Sequence, residues 1–349
     1  MKGMIVNPID VVNQYSDSID ELDANYANTV SFSLRKALLH HRRFKEAVIK
    51  IAELHHYSKI NKVGGGLLIT GPSGVGKTTI LKQYLENFPR ENAAQKTIIP
   101  VLYIVTPASP TVKSFTEAIL VALNDPIAHR GSAEEKTVRI NKLLKGCEVE
   151  LLMIDEFQHF YYARTAMEFR HITDWLKIMI SGSGLAVVLT GLEEVKQVVY
   201  TNEQLARRFS SSIHISQFAS NNKDDIVEFR AVLKGFQQKL PMAVDEPLHE
   251  ANLARRFFIA SDGIIDYVRK ILEGAVTAAG RAGLDTLDLS TYEAGFRLNV
   301  WPEVSDKLNP FHPESPLRRL DKFGEPYYQG DKRHAIGSPL ARRKVDSIK

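Results

Sequence analysis

Between Gly66 and Leu81 the chain reads GLLITGPSGVGKTTIL, and no other stretch constrains the fold as tightly. The apolar run Leu67-Leu68-Ile69 has the make-up of a buried strand, and the residues from Thr78 onward that of a helix. Between them lies Gly71-Pro72-Ser73-Gly74-Val75-Gly76-Lys77-Thr78-Thr79, the G-x-x-x-x-G-K-[ST] pattern in the strand-to-helix setting it requires. Gly71, Gly74 and Gly76 permit positive φ, so that successive backbone N–H groups can face one anion. The helix that follows offers its unpaired N–H groups and its dipole to the same charge. Lys77 supplies a mobile cation, and Thr78 a hydroxyl suited to Mg²⁺. At ordinary glycine usage the pattern arises by accident in roughly one chain per hundred of this size, and more rarely with the correct flanks. These residues imply binding of a nucleoside triphosphate.

Downstream, apolar runs alternate with helical patterns at the spacing of a parallel α/β sheet. Further strands are expected at 100–105, 149–154, 185–189 and 212–216. Helices are expected from the phosphate loop to Phe88 and at 111–123, 157–180 and 193–200. Upstream, the stretch from Ser33 to Lys59 reads as one basic amphipathic helix that Ser33 could cap. A second basic helix carries Lys136, Arg139, Lys142 and Lys145. A basic face is either solvated surface or a contact for nucleic acid or a nucleotide base, and the pattern leaves both open. From residue 224 the chain turns all-helical, with amphipathic helices at 226–239, 247–260 and 264–282 and a short one within 287–300. The expected plan is an N-terminal arm (1–32), an α/β core (33–222), a helical domain (223–300) and an extended Pro- and Gly-rich basic tail (301–349).

Composition narrows the class. The single cysteine, Cys147, excludes an internal disulfide framework, suits a reducing cytosol and reads as a small buried hydrophobe. No apolar run approaches the ~18–20 residues that span a bilayer, so no membrane partner is expected. The net charge of +4 is too mild to imply nucleic acid by itself.

The second half of the site is LLMIDE, residues 151–156. Acidic residues at the carboxyl end of a parallel strand lie on the ligand-binding rim of the sheet. Asp155 would hold Mg²⁺, and Glu156 would polarise the attacking water. A nucleotide kinase needs no water-activating Glu beside its Mg²⁺ ligand, whereas hydrolysis does, so the pair points to an Mg²⁺-dependent ATP hydrolase. Thr190, at the tip of the fourth strand, is placed to position the water or sense the γ-phosphate. Arg207 and Arg208 precede the last core strand, a site that commonly faces the next subunit. One of them would neutralise charge on a neighbour's γ-phosphate. Gln158 and His159 would make supporting polar contacts behind the Asp-Glu pair. No H-E-x-x-H or C-x-x-C occurs, so no metal beyond Mg²⁺ is indicated.

Taken together, GPSGVGKT, LLMIDE, Thr190, the LARRF arginines and the helical domain resemble an AAA+ ATPase. Residues 33–300 resemble the TniB/TnsC group of transposition regulators, relatives of MuB and IstB. The resemblance rests on LLMIDEFQHF, PVLYIVTPASPTVKSFTEAIL, VVLTGLEE and NEQLARRF. It implies an α/β fold of the P-loop (ASCE/AAA+) kind, a parallel sheet flanked by helices with a small C-terminal helical lid and a tail. It also implies an ATP-dependent oligomer on duplex DNA, a ring or helical filament that is hexamer-like or heptamer-like. Such an assembly would link a TniQ-type targeting protein to a DDE transposase of the TnsB/TniA type, with hydrolysis driving disassembly. The setting implied is the bacterial cytoplasm, in association with DNA.

Lys113 in PTVKSF matches the region where the group contacts DNA phosphates, and Arg139 is a further candidate. Such contacts would be sequence-tolerant and salt-sensitive. One departure stands out. Lids of this superfamily often place an Arg three residues after the helix-opening Gly, but here Gly263 is followed at that spacing by Asp266, with Arg269 one turn later. Either Arg269 substitutes or the contact is absent. The competing reading is a helicase-loader ATPase of the DnaC/IstB kind with a preference for single strands. A STAND-type signalling NTPase normally continues into repeats not seen here.

Overall fold

The computed structural model describes residues 32–34, 41–93, 96–162 and 166–328. The arm and the end of the chain, 1–31 and 329–349, lie outside them. The described residues fall into two compact units, one of residues 41–217 and one of 32–34 with 218–328.

The first unit runs α1 (Arg42–Asn61), β1 (Gly66–Thr70), α2 (Lys77–Glu86), the short antiparallel pair β2 (Glu91–Ala93) and β3 (Lys96–Ile98), then β4 (Val101–Val105) and α3 (Val112–Ala122). It continues with α4 (Ala133–Gly146), β5 (Leu151–Asp155), a 3₁₀ turn (Phe157–Phe160), α5 (Ala166–Ser183), β6 (Ala186–Gly191), α6 (Glu194–Tyr200), α7 (Glu203–Ala206) and β7 (Ser211–His214). The sheet order is β4-β5-β6-β1-β7, with every pairing parallel. Strands β1, β5 and β6 are buried along their whole length, as parallel strands covered on both faces are. Under them Phe115 stands edge-on to Phe160 at 5.1 Å and to Trp175 at 5.5 Å, and Cys147 is buried in the same core.

This order positions the chemistry. β6 returns between β5 and β1, in register Ile154↔Leu189 and Ile69↔Thr190. The carboxyl ends of β5, β6 and β1 therefore lie side by side, and Asp155, Thr190 and the loop opening at Gly71 meet there.

Of the basic stretch 33–59, residues 35–40 lie outside the described ones, and the helix start expected just after Ser33 falls on them; α1 is described from Arg42, with His41 as its N-cap. Ser33 Oγ and the Leu34 N–H donate to Glu273 Oε1, at 3.1 and 2.7 Å. Two local expectations need correction. The helix expected from residue 157 is first a 3₁₀ turn, because Glu156 sits at φ 55° and Phe157 and Phe160 turn into the core. α4 is not uniformly basic on its surface. Lys136 is fully buried, and its ammonium donates to Glu117 Oε2 (2.5 Å) and Ala128 O (2.7 Å).

The second unit runs α8 (Lys223–Gln237), β8 (Ala243–Val244), α9 (Ala251–Ser261), α10 (Ile265–Arg281), β9 (Thr286–Leu287), α11 (Leu289–Asn299) and a 3₁₀ turn (Asp306–Leu308). α10 and α11 cross at two glycines. A Cβ on Gly295 would lie 2.3 Å from the Ile271 carbonyl oxygen, so nothing larger fits without movement.

Residues 301–328 are not an extended tail. Val304, Phe311, Leu320 and Tyr327 are buried in the core of the helical unit. Arg319 grips Asp262 through two hydrogen bonds of 2.6 and 2.7 Å, and Arg256 bonds the carbonyls of Pro310 (2.6 Å) and His312 (3.0 Å). The apolar residues of this stretch recur at neither helical nor strand spacing because it packs as irregular chain, and so periodicity could not reveal them. Among the described residues no helix is long and apolar enough to cross a membrane.

Candidate active site

The site lies within the first unit. Gly71 is required by close approach, since a Cβ there would stand 2.1 Å from the Ile215 carbonyl oxygen. Gly76 caps α2 at φ 97°, a conformation that strains other residues. Within the loop Val75 is buried, Ser73 is exposed, and Pro72 and Gly74 are half-buried. Thr79 is exposed in the first turn of α2.

Lys77 is only 6 % exposed, and its ammonium donates to the carbonyls of Gly71 (2.8 Å) and Pro72 (2.7 Å). Burial pushes its pKa down, opposed by the charges of Glu156, Asp155 and Glu193. The cation is therefore held at the loop with three carboxylates near it.

Asp155 is the hub. Its side chain is buried, and Thr78 donates to Oδ2 at 2.6 Å, with Tyr103 donating to the same oxygen at 3.2 Å. The Glu156 N–H donates to Oδ1 at 2.9 Å, and the Thr190 hydroxyl donates there too. Four donors fix the carboxylate's orientation. Tyr103 was not anticipated from the sequence. Burial first, and then the Asp155 charge, raises its phenol well above the ordinary value. Its signal was its place in PVLYIV, where an aromatic reads simply as core.

Glu156 occupies the left-handed region, uncommon for a residue with a side chain and often found at functional positions. Its Oε2 accepts a hydrogen bond from Gln158 Nε2. His159 faces the Thr106 and Pro107 carbonyls at 3.2 Å, a supporting contact. Glu193, also unanticipated, accepts from the Thr70 hydroxyl at 2.7 Å and pairs with Lys196 at 2.7 Å and with His214.

The remaining candidates do not converge here. The Arg208 carbonyl accepts from the Gly66 N–H at 2.8 Å, so Arg208 sits at the amino end of β1. The phosphate loop leaves the other end of this five-residue strand, about 16 Å away. Arg207 is exposed and paired with Glu203 at 2.5 Å. Both arginines line an open groove of about 480 Å³ with Lys177, Ile178 and Gln204. Lys113 is exposed in the first turn of α3.

Arg139 is engaged within its own chain. Its guanidinium bridges Asp125 (3.1 Å) and the carbonyls of Ile127 and Arg130 (both 3.0 Å), so it clamps a loop of its own subunit. In the helical unit Arg269 is likewise taken up by Asp266 (2.6 Å) and Glu273 (2.5 Å) of its own helix.

Comparison with solved structures places this architecture. The ORC2 protein of Aeropyrum pernix, solved as ADPNP–ADP complexes, superposes with a TM-score of 0.59 at 16% identity, over 80% of this chain and 73% of that one. CDC6P from Pyrobaculum aerophilum gives 0.58 at 16% identity over the same shares. The A. pernix ORC1 protein in complex with DNA gives 0.54 at 15% identity, over 77% and 68%. These likenesses establish the AAA+ ATPase fold, a five-stranded parallel sheet flanked by helices. No curated protein matches the chain in sequence. Residues 30–219, more than half of the chain and including every residue of the site described above, match the family described as bacterial TniB protein. The chain belongs to the TniB family.

Proposed function

We propose that this protein is an Mg²⁺-dependent ATP hydrolase that assembles on duplex DNA and regulates transposition. The observation that carries the proposal is the junction at Asp155, where the Thr78 and Thr190 hydroxyls meet one buried carboxylate beside the buried Lys77. In this reading Gly71 to Thr79 and Lys77 hold the triphosphate. Thr78 and Asp155 are the donor set for Mg²⁺, two oxygen ligands of the type a hard cation prefers, and the ion supplies charge neutralisation at the phosphates. Glu156 takes the proton of the attacking water, and Thr190 orients that water or the γ-phosphate.

Arg207 or Arg208 serves a neighbouring subunit, because β1 separates Arg208 from the loop of its own chain by more than an arginine's reach. The ORC2 relative in fold was solved with nucleotide and the ORC1 relative with DNA, which favours the same pair of ligands here. Lys113 is the remaining candidate for DNA phosphate contact. Membership of the TniB family supports a ring or filament whose partners are a TniQ-type targeting protein and a DDE transposase, with hydrolysis driving disassembly.

The test is a pair of variants. Lys77→Ala should lose ATP binding and with it ATP-dependent retention of duplex DNA. Glu156→Gln should bind ATP, stay on DNA and hydrolyse ~10²–10⁴-fold more slowly. Unchanged nucleotide affinity in Lys77→Ala would overturn the central reading. Retention of single strands in preference to duplex would favour the loader instead.

A further inference from the structure

Gln158 is almost fully buried, and both ends of its carboxamide are engaged. Nε2 donates to Glu156 Oε2, and Oε1 accepts from the Leu192 N–H at 3.2 Å. The orientation is unambiguous on chemical grounds. A flipped amide would set NH₂ against the Leu192 N–H and its oxygen against a carboxylate, two repulsive contacts in place of two bonds. The space for it exists because residue 191 is glycine. A Cβ there would lie 2.1 Å from Gln158 Oε1 and 2.6 Å from Val195 Cγ2. The turn carrying Gln158 is anchored by the buried Phe157 and Phe160 and by His159 on the Thr106 and Pro107 carbonyls.

We propose that Gln158 is a positioning residue that holds the Glu156 carboxylate by one oxygen and ties it to the end of β6. The inference rests on the hydrolase reading above and deepens it. Among the described residues no hydrogen bond is made to the other oxygen, Oε1, which is thereby kept for the attacking water. Thr190 of the same strand end bonds Asp155. β6 thus sets both acidic groups at once: Asp155 through a hydroxyl, and Glu156 through Gln158 and the Leu192 N–H. Glu156 is in the left-handed region at a strand end, where its side chain would otherwise be fixed only by its own rotamer preference. A displacement of about 1 Å at such a group costs on the order of 10²-fold in rate.

Two substitutions separate this role from a merely structural one. Gln158→Leu removes both bonds. Gln158→Glu keeps an acceptor for the Leu192 N–H and, where both carboxyls are ionised, replaces the donor to Glu156 by a like charge. Both should lower kcat by roughly 10–100-fold, while KM for ATP and the affinity for a fluorescent ATP analogue stay within about twofold. Added to Glu156→Gln, Gln158→Leu should cause no further loss, because the group it positions is gone. Should Gln158→Leu fail to fold, Gln158→Glu carries the test alone.

Wild-type kcat in Gln158→Leu, or in Gln158→Glu at a pH where both carboxyls are ionised, would overturn the proposal, since the donor to Glu156 would then be dispensable. So would a full additional loss in the Glu156→Gln background. Those results leave the hydrolase reading intact. A wild-type protein that does not hydrolyse ATP, or wild-type turnover in Glu156→Gln, removes that reading and this inference together.

Discussion

Replacing Phe311 by alanine should destabilise the helical unit by about 4 kcal/mol. Its ring is fully buried and edge-on to Phe257 at 4.9 Å, with Tyr292 tilted against it at 5.7 Å. Returning a phenyl group to water costs about 1.5–3 kcal/mol. The two ring contacts add about 0.5–1.5 kcal/mol each, and whatever cavity fails to collapse adds more. The expected total sits inside the roughly 3–5 kcal/mol usual for buried Phe→Ala. In a unit of about a hundred residues each kcal/mol lowers Tm by about 4 °C, so the shift should be about 16 °C. The assay is thermal unfolding followed by circular dichroism, with ATP-analogue binding recorded in parallel as a probe of the α/β unit. Deleting the chain from residue 302 onward should do more damage still, because it also removes Val304, Leu320, Tyr327 and the Arg319–Asp262 clamp. A Tm within 2–3 °C of wild type in Phe311→Ala would refute the packing argument.

Further outcomes follow from the same geometry. Neither Arg207→Ala nor Arg208→Ala should weaken ATP binding by isolated subunits, but one should cut DNA-stimulated hydrolysis by ~10³-fold or more. Mixing that variant with Lys77→Ala should restore part of the phosphate release, and no rescue at any ratio would make both arginines surface charges. Lys113→Ala should weaken duplex binding and reduce its salt dependence by about one ion. Arg139→Ala should leave that salt slope unchanged and lower Tm, because its bonds are internal. The buried His55 lies between Tyr84 (2.9 Å) and Glu150 (3.0 Å), with Lys59 on the same carboxylate at 2.9 Å. Burial holds its pKa below the ordinary 6.5 despite the pull of Glu150. The unfolded chain then takes up the proton first, so stability is kept above about pH 6.5 and lost as pH falls below it. His55→Gln should flatten Tm across that acidic window, and an unchanged slope would assign the dependence to other groups.

Features whose chemistry is carried by covalent neighbours could be read from the amino-acid order. A loop from Gly71 to Thr78 needs only its own glycines, its lysine and the flanking strand and helix to be recognised. Strands β1, β5 and β6 were legible because strands buried on both faces read as continuous apolar runs, whereas β7 is mostly exposed and its sequence, SSIH, is no such run. Asp155 and Glu156 were legible because they end such a run. The remaining features depend on residues far apart in the chain, which folding alone brings together.

Strand order decided that Thr190 stands between Asp155 and the phosphate loop, and that Arg208 lies at the opposite end of β1. Long-range pairing decided which charges are free. Arg139 and Lys136 share one helix with Lys142 and Lys145, yet the first clamps a loop and the second is buried against Glu117. The same holds for Gln158, whose amide meets Leu192 only because β6 ends beside the 3₁₀ turn. Residues 301–328 show the limit most directly. Their contribution comes from single side chains inserted at irregular intervals into a core built elsewhere, and a pattern without a period leaves no trace in the sequence.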